Sequence, residues 1–175
     1  MENDLTLQNQ AIAAEFEAPS DDLIKALNRV IAKAINSREE FLTFAGKAES
    51  QPLFRLCMDI KERREALYVE LQHRVSGMGG EPATEENFAG WLHHLWLRTR
   101  LALEQDDDFV IVSEAVREEE SMRLALEESI QEPSLPADIR AQFTRERDFS
   151  SGLHDSLEQL KETLKPDDFV DINRV

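Results

Sequence analysis

Apolar residues recur at three- and four-residue steps through four long stretches of this chain, the period of a helix that buries one face. The first stripe runs through Ile24, Leu27, Ile31, Ile35, Leu42 and Ala45 and predicts a helix over 21–48. Ser20 or Asp21 can cap its start, where acidic side chains also suit the positive end of the helix dipole. "ESQP" breaks the pattern near residue 50. A second stripe follows through Leu53, Leu56, Ile60, Leu67, Leu71, Val75 and Met78, predicting a helix over 52–78 that "GGEP" ends. A third helix over 108–131 carries Val112, Val116, Leu126 and Ile130, with the aspartates of "EQDDD" placed to cap it. After the two-proline corner "EPSLPAD", a fourth over 136–164 carries Ile139, Phe143, Ser150, Leu153, Leu157, Leu160 and Leu164.

Between the second and third stretches lies a shorter amphipathic pattern. Phe88, Trp91, Leu92, Leu95, Thr99 and Leu103 predict a helix over about 85–104 that holds both tryptophans, His93 and His94. Short corners make neighbouring helices antiparallel, whereas a connection of about 30 residues can run the length of a bundle. The pattern therefore predicts an all-α four-helix bundle over 20–164 with one long crossover carrying a short helix. A loosely held arm, 1–19, precedes it and a tail, 165–175, follows.

Composition narrows the function classes. A formal charge of −16 opposes binding to nucleic acid or to anionic lipid, because phosphates are repelled. No apolar run reaches the roughly 20 residues needed to span a bilayer, and "MENDLTLQNQ" lacks the basic start and apolar stretch of a secretory signal. The lone Cys57 has no partner for an internal disulfide, which fits a reducing cytoplasm. On an apolar helix face it reads as a packing residue.

The candidate chemistry lies where polar residues interrupt the apolar stripes. Extending each stripe through its gap places Arg38, Arg64, Glu119 and Glu146 on the inward faces of the four helices. At about 1.5 Å rise per residue each lies about 20 Å from its corner, near mid-bundle. Two arginines and two glutamates at one height predict a central ion-paired layer without metal, since Arg bridges carboxylates by paired hydrogen bonds. His93 and His94, being adjacent, diverge by about 100° on a helix and cannot face one ion together. Phe88, Trp91, Leu92, Leu95 and Trp96 are expected to anchor the crossover on the bundle, or to form a patch for a homodimer or protein partner. Acid runs such as "REEES" read as solvated faces. No nucleophile–base pair, Gly-rich phosphate loop or Cys-x-x-Cys is legible, so the reading is of a non-enzymatic, stress-related or protein-interaction module without a cofactor.

"GGEP", "FAGWLHHLWLRTRLALEQDD" and "REEESMRLALEESI" together resemble a bacterial ferritin-like four-helix-bundle family of unknown function. The crossover of that family reads as an apolar residue, Ala-Gly, His and Trp, closing on Gly-Asp-Asp. The matching positions here are Phe88, Ala89, Gly90, His93, Trp96, Asp106 and Asp107, and the likeness runs over about 20–164. The first helix is about a heptad longer than the family pattern. The resemblance implies the ferritin-like fold and no established reaction. It also supplies an alternative, because ferritin-like di-iron proteins place one Glu on each of two helices and Glu-x-x-His on each of the others. Carried onto this chain, that set becomes Glu40, Glu62, Glu119 and His154 around iron, in an oxidoreductase or iron-handling protein.

Overall fold

The computed structural model describes residues 19–85 and 107–165, which form four helices and, among the described residues, no strand. These are α1 (Asp21–Lys47), α2 (Gln51–Gly77), α3 (Asp108–Ile130) and α4 (Ala137–Leu164). Each bound falls within a residue of its expected position. The crossover helix expected over 85–104 lies, apart from Glu85, outside the described residues, as do most of the arm and the tail.

Local chemistry accounts for the ends. Ser20 Oγ accepts the amide of Leu23 at 3.1 Å, and Asp107 accepts that of Phe109 at 2.8 Å, so both predicted N-caps form. At the end of α2, Gly79 adopts φ +79°, with Gly79 N–H donating to the Ser76 carbonyl at 2.9 Å and Gly80 N–H to that of Val75 at 3.0 Å. This is the glycine-dependent pairing that closes many helices. The start of α2 is capped from another helix, since Asp108 accepts the amides of Glu49 at 2.9 Å and Ser50 at 3.2 Å. Arg140 closes the second corner by donating to the carbonyls of Ile130 and Glu132.

Those contacts also set the topology. Asp108 at the start of α3 meets the end of α1, while Ser129 near the end of α3 donates to the carbonyl of Ala26 near the start of α1. Helices α1 and α3 are therefore antiparallel neighbours. Arg74 near the end of α2 pairs with Asp138 at the start of α4, so α2 and α4 are antiparallel as well. Two antiparallel hairpins thus pack together, with α2 and α3 parallel across a diagonal, and the connection after Gly77 joins opposite ends of the bundle. Its described part turns back along the first hairpin. Asn28 binds the Glu81 carbonyl at 2.9 Å and the Ala83 amide at 2.7 Å, and Gln72 donates to the Ala83 carbonyl at 2.8 Å.

The core is divided into two apolar clusters. One holds Leu27, Ile31, Ile35, Leu67, Leu71, Met122, Leu126, Ile139 and Phe143; the other holds Phe41, Phe44, Leu53, Cys57, Ile60, Ile111, Val112, Ala115 and Leu157. Residues 36–40, 63–64, 118–119 and 146–150 occupy the interval on the four helices. That interval is polar.

Candidate functional site

Arg64 stands at the centre of the polar interval and is wholly buried, as is Glu119 across the diagonal on α3. The Arg64 Nη2 group donates to Glu119 Oε1 at 2.8 Å, to Glu119 Oε2 at 2.6 Å and to Ser150 Oγ of α4 at 3.0 Å. Its Nε donates to Ser37 Oγ of α1 at 3.3 Å. One guanidinium therefore bonds to all three other helices. Ser37 and Ser150 are both fully buried, and as short hydroxyl side chains they supply acceptors while leaving space for the guanidinium. Taking two charges out of water costs several kcal/mol per ion and is offset only by close pairing with further hydrogen bonds. The surroundings of Arg64 meet that condition at two of its three nitrogens, Nε and Nη2; Nη1 is buried without a hydrogen-bond partner, 3.8 Å from Glu146 Oε2.

Glu146 lies at the edge of this layer. Arg63 holds it by two parallel bonds, Nε to Oε2 and Nη2 to Oε1, both 2.9 Å, and stacks its guanidinium 3.8 Å from the centre of the Phe149 ring. Arg64 and Glu119 are thus brought together, with Glu146 within Coulombic reach.

Arg38 is not brought to them. It leaves the bundle axis to pair with Glu39 and Glu85 and places its guanidinium 5.9 Å from the Tyr68 ring centre. The expected inward position on α1 belongs to Ser37. The heptad neighbours of Arg38, Ile31 and Ala45, are buried, so the repeat stays on the inward face, but at this height the long Arg38 side chain turns outward to reach Glu39 and Glu85. Ser37, Phe41 and Phe44 fill the core around it, and Leu42 is left 42% exposed.

The four residues of the iron alternative do not converge. Glu119 is bound to Arg64, Glu62 is exposed, and His154 lies beside Asp155 at 3.3 Å on the outside of α4. Among the described residues, no group of three or more His, Cys, Asp or Glu side chains is placed to hold a metal. Phe88, Trp91, Leu92, Leu95 and Trp96 lie outside the described residues.

Glu40 belongs instead to a second buried polar group that the apolar pattern did not reveal. Glu40 on α1 and Glu118 on α3 are 9% and 6% exposed, with Asn36 at 2% beside them. Lys33 reaches Glu118 Oε2 at 2.6 Å. Burial, then a hydrogen bond and the negative charge from Glu118, push the Glu40 carboxyl up to about 9, against the opposing pull of Lys33 and a hydrogen bond from Asn36. Lys33, Asn36 and Glu40 recur at helical spacing, which is the signal a finer reading of the α1 face offers.

Cys57, 1% exposed, is a packing residue whose thiol burial and the charge of Asp108 push up to about 12. No described helix is long and apolar enough to cross a membrane. Compared with known proteins, the chain matches no curated protein and no solved structure. One family profile does match, over residues 22–132, covering α1 to the end of α3 and so including Arg64 and Glu119 but not Ser150 or Glu146. As that span is well over half of the 175 residues, the chain belongs to the family described as "Domain of unknown function (DUF2383)".

Proposed function

We propose that this protein is a bacterial ferritin-like bundle in which an ionic layer centred on Arg64 and Glu119 stands where a di-iron protein keeps its carboxylates, and that it works without enzymatic activity or a bound cofactor. The observation that carries the reading is the wholly buried Arg64 guanidinium, bonded to Glu119, Ser37 and Ser150 at mid-bundle. A metal dication there would meet a fixed positive charge in a dry environment, with the nearest carboxylate already used. The topology supports the ferritin-like part: two antiparallel hairpins joined by a connection between opposite ends of the bundle.

The module acts through its surface, in stress response or assembly, with a second copy or another protein meeting the connecting segment that carries Phe88, Trp91, Leu92, Leu95 and Trp96. The clustering of these residues in a chain of charge −16 supports that role. A buried, unreactive Cys57 suits a cytoplasmic setting.

Metal analysis of protein purified from cells grown with added iron tests the central statement. The expected result is no stoichiometric metal. About two equivalents of iron per chain, the load of a di-iron bundle, would overturn it in favour of the oxidoreductase or iron-handling reading. Sedimentation velocity on the wild type and on Trp91→Ala/Trp96→Ala tests the surface role. A dimer lost in the variant supports self-association through the segment, and a dimer that persists removes that surface from consideration.

A further inference from the structure

We propose that Glu40 and Glu118 form a buried proton-binding site, in which one hydrogen shared between the two carboxyls fastens α1 to α3 and is released when the hairpins separate. The argument begins with Glu118. Its Oε2 takes the Lys33 ammonium at 2.6 Å, while its Oε1 is buried and has no hydrogen-bond partner among the described residues. An acceptor left unsatisfied at that depth is costly. Glu40, itself 9% exposed and close enough to Glu118 to feel its charge, can supply that donor once its carboxyl carries a proton. Two ionised carboxylates offer acceptors only, so a hydrogen bond between them requires that one carry a proton.

The surrounding charges fit a single proton. From α3, Glu118 faces Lys33 and Glu119 is committed to Arg64 of α2; from α4, Glu146 is held by Arg63. With Glu40 in its acid form, Lys33 and Glu118 balance one another. With Glu40 ionised, the pocket would hold two negative charges against one positive charge. The acid form persists up to about 9 in the folded chain, against an ordinary carboxyl value of 4.5.

Between those limits the folded chain holds one proton that the unfolded chain does not. Because the folded value is the higher, the associated stability is full below about 4.5 and is lost progressively as the pH rises to about 9. The site lies between α1 and α3, neighbours from different hairpins, so acid tightens that contact and alkali loosens it.

Urea unfolding of the wild type and of Glu40→Gln between pH 5.5 and pH 8.5 tests this. The glutamine amide can donate to Glu118 without titrating, and every other ionisable group is common to both chains, so the difference in slope isolates Glu40. The unfolding constant of the wild type should rise about tenfold more per pH unit than that of the variant. Equal slopes would overturn the proposal. If Glu40→Gln does not fold, the carboxyl carbon shifts of glutamate-labelled native protein decide: one glutamate protonated at pH 7 and titrating near 9 upholds it, and glutamates all ionised at pH 7 refute it.

Discussion

Replacing Arg64 with methionine separates the two effects that meet at the centre of the bundle. The side chain is nearly the right volume for the site, so packing changes little, but Glu119 keeps its charge at zero exposure and loses both bonds from Nη2. Ser37 and Ser150 lose their bonds to the guanidinium as well. Removing one member of a buried pair costs about 3–5 kcal/mol, because the remaining charge stays desolvated. For a domain with a total stability of about 5–15 kcal/mol, that is a large fraction. Adding Glu119→Leu removes the orphaned charge, and most of the loss should return, since apolar replacement of a whole buried pair is often neutral or stabilising.

Urea denaturation followed by helical circular dichroism, at one pH and for the wild type, both single variants and the double variant, closes the thermodynamic cycle. The expected outcome is a double variant clearly more stable than Arg64→Met. The reasoning is refuted if Arg64→Met costs under about 1 kcal/mol, the range of exposed pairs, or if the double variant is no better than the single. The first result would mean that water reaches Glu119, the second that the loss came from packing.

Two further outcomes follow from the same geometry. Asp108→Ala removes the acceptor of the Glu49 and Ser50 amides and should cost about 1 kcal/mol, the usual worth of a helix cap, read as a lower urea midpoint with an unchanged slope; Asp108→Asn should recover part of it. Cys57, at 1% exposure and with its thiol pushed up to about 12, should not react with a disulfide reagent at pH 8 in the folded chain and should react once in urea. Rapid labelling of the native protein would show that the end of the bundle near Cys57 opens freely.

The helices were legible because each carries a long apolar stripe between strong stop signals: Ser20 before α1, "GGEP" after α2, Asp107 before α3. Arg64 was legible for a related reason. The steps Leu53, Leu56, Ile60, Arg64, Leu67, Leu71 and Val75 mix threes and fours at close to 3.6 residues per turn, so the polar gap stays on the buried line. Arg38 shares a repeat with the buried Ile31 and Ala45, but its side chain is long enough to leave the face and pair with Glu39 and Glu85, which spacing along one helix does not encode. The Glu40–Glu118 group escaped for a different reason. Its members flank the apolar face, and only the packing of α1 against α3, with Lys33 folded over them, takes them out of water. That is a property of tertiary contact, which a stripe on one helix does not encode.

The ionic layer is better understood as a device for register than as a source of stability. The two apolar clusters are built from similar residues, mostly Leu, Ile, Val and Phe, so sliding one hairpin against the other by a turn would still match apolar with apolar over much of the interface. It would also bury Arg64 and Glu119 apart from one another, at several kcal/mol for each unpaired ion. The pair joins α2 of one hairpin to α3 of the other, and Ser37 and Ser150 fix the guanidinium from α1 and α4, so one arrangement satisfies all of them at once. On this argument the Arg64→Met/Glu119→Leu double variant should keep most of its free energy and lose some of its uniqueness. Its amide NMR spectrum is expected to show extra or broadened peaks for residues beside the layer. A single sharp set, as in the wild type, would mean that packing of the two apolar clusters alone sets the register.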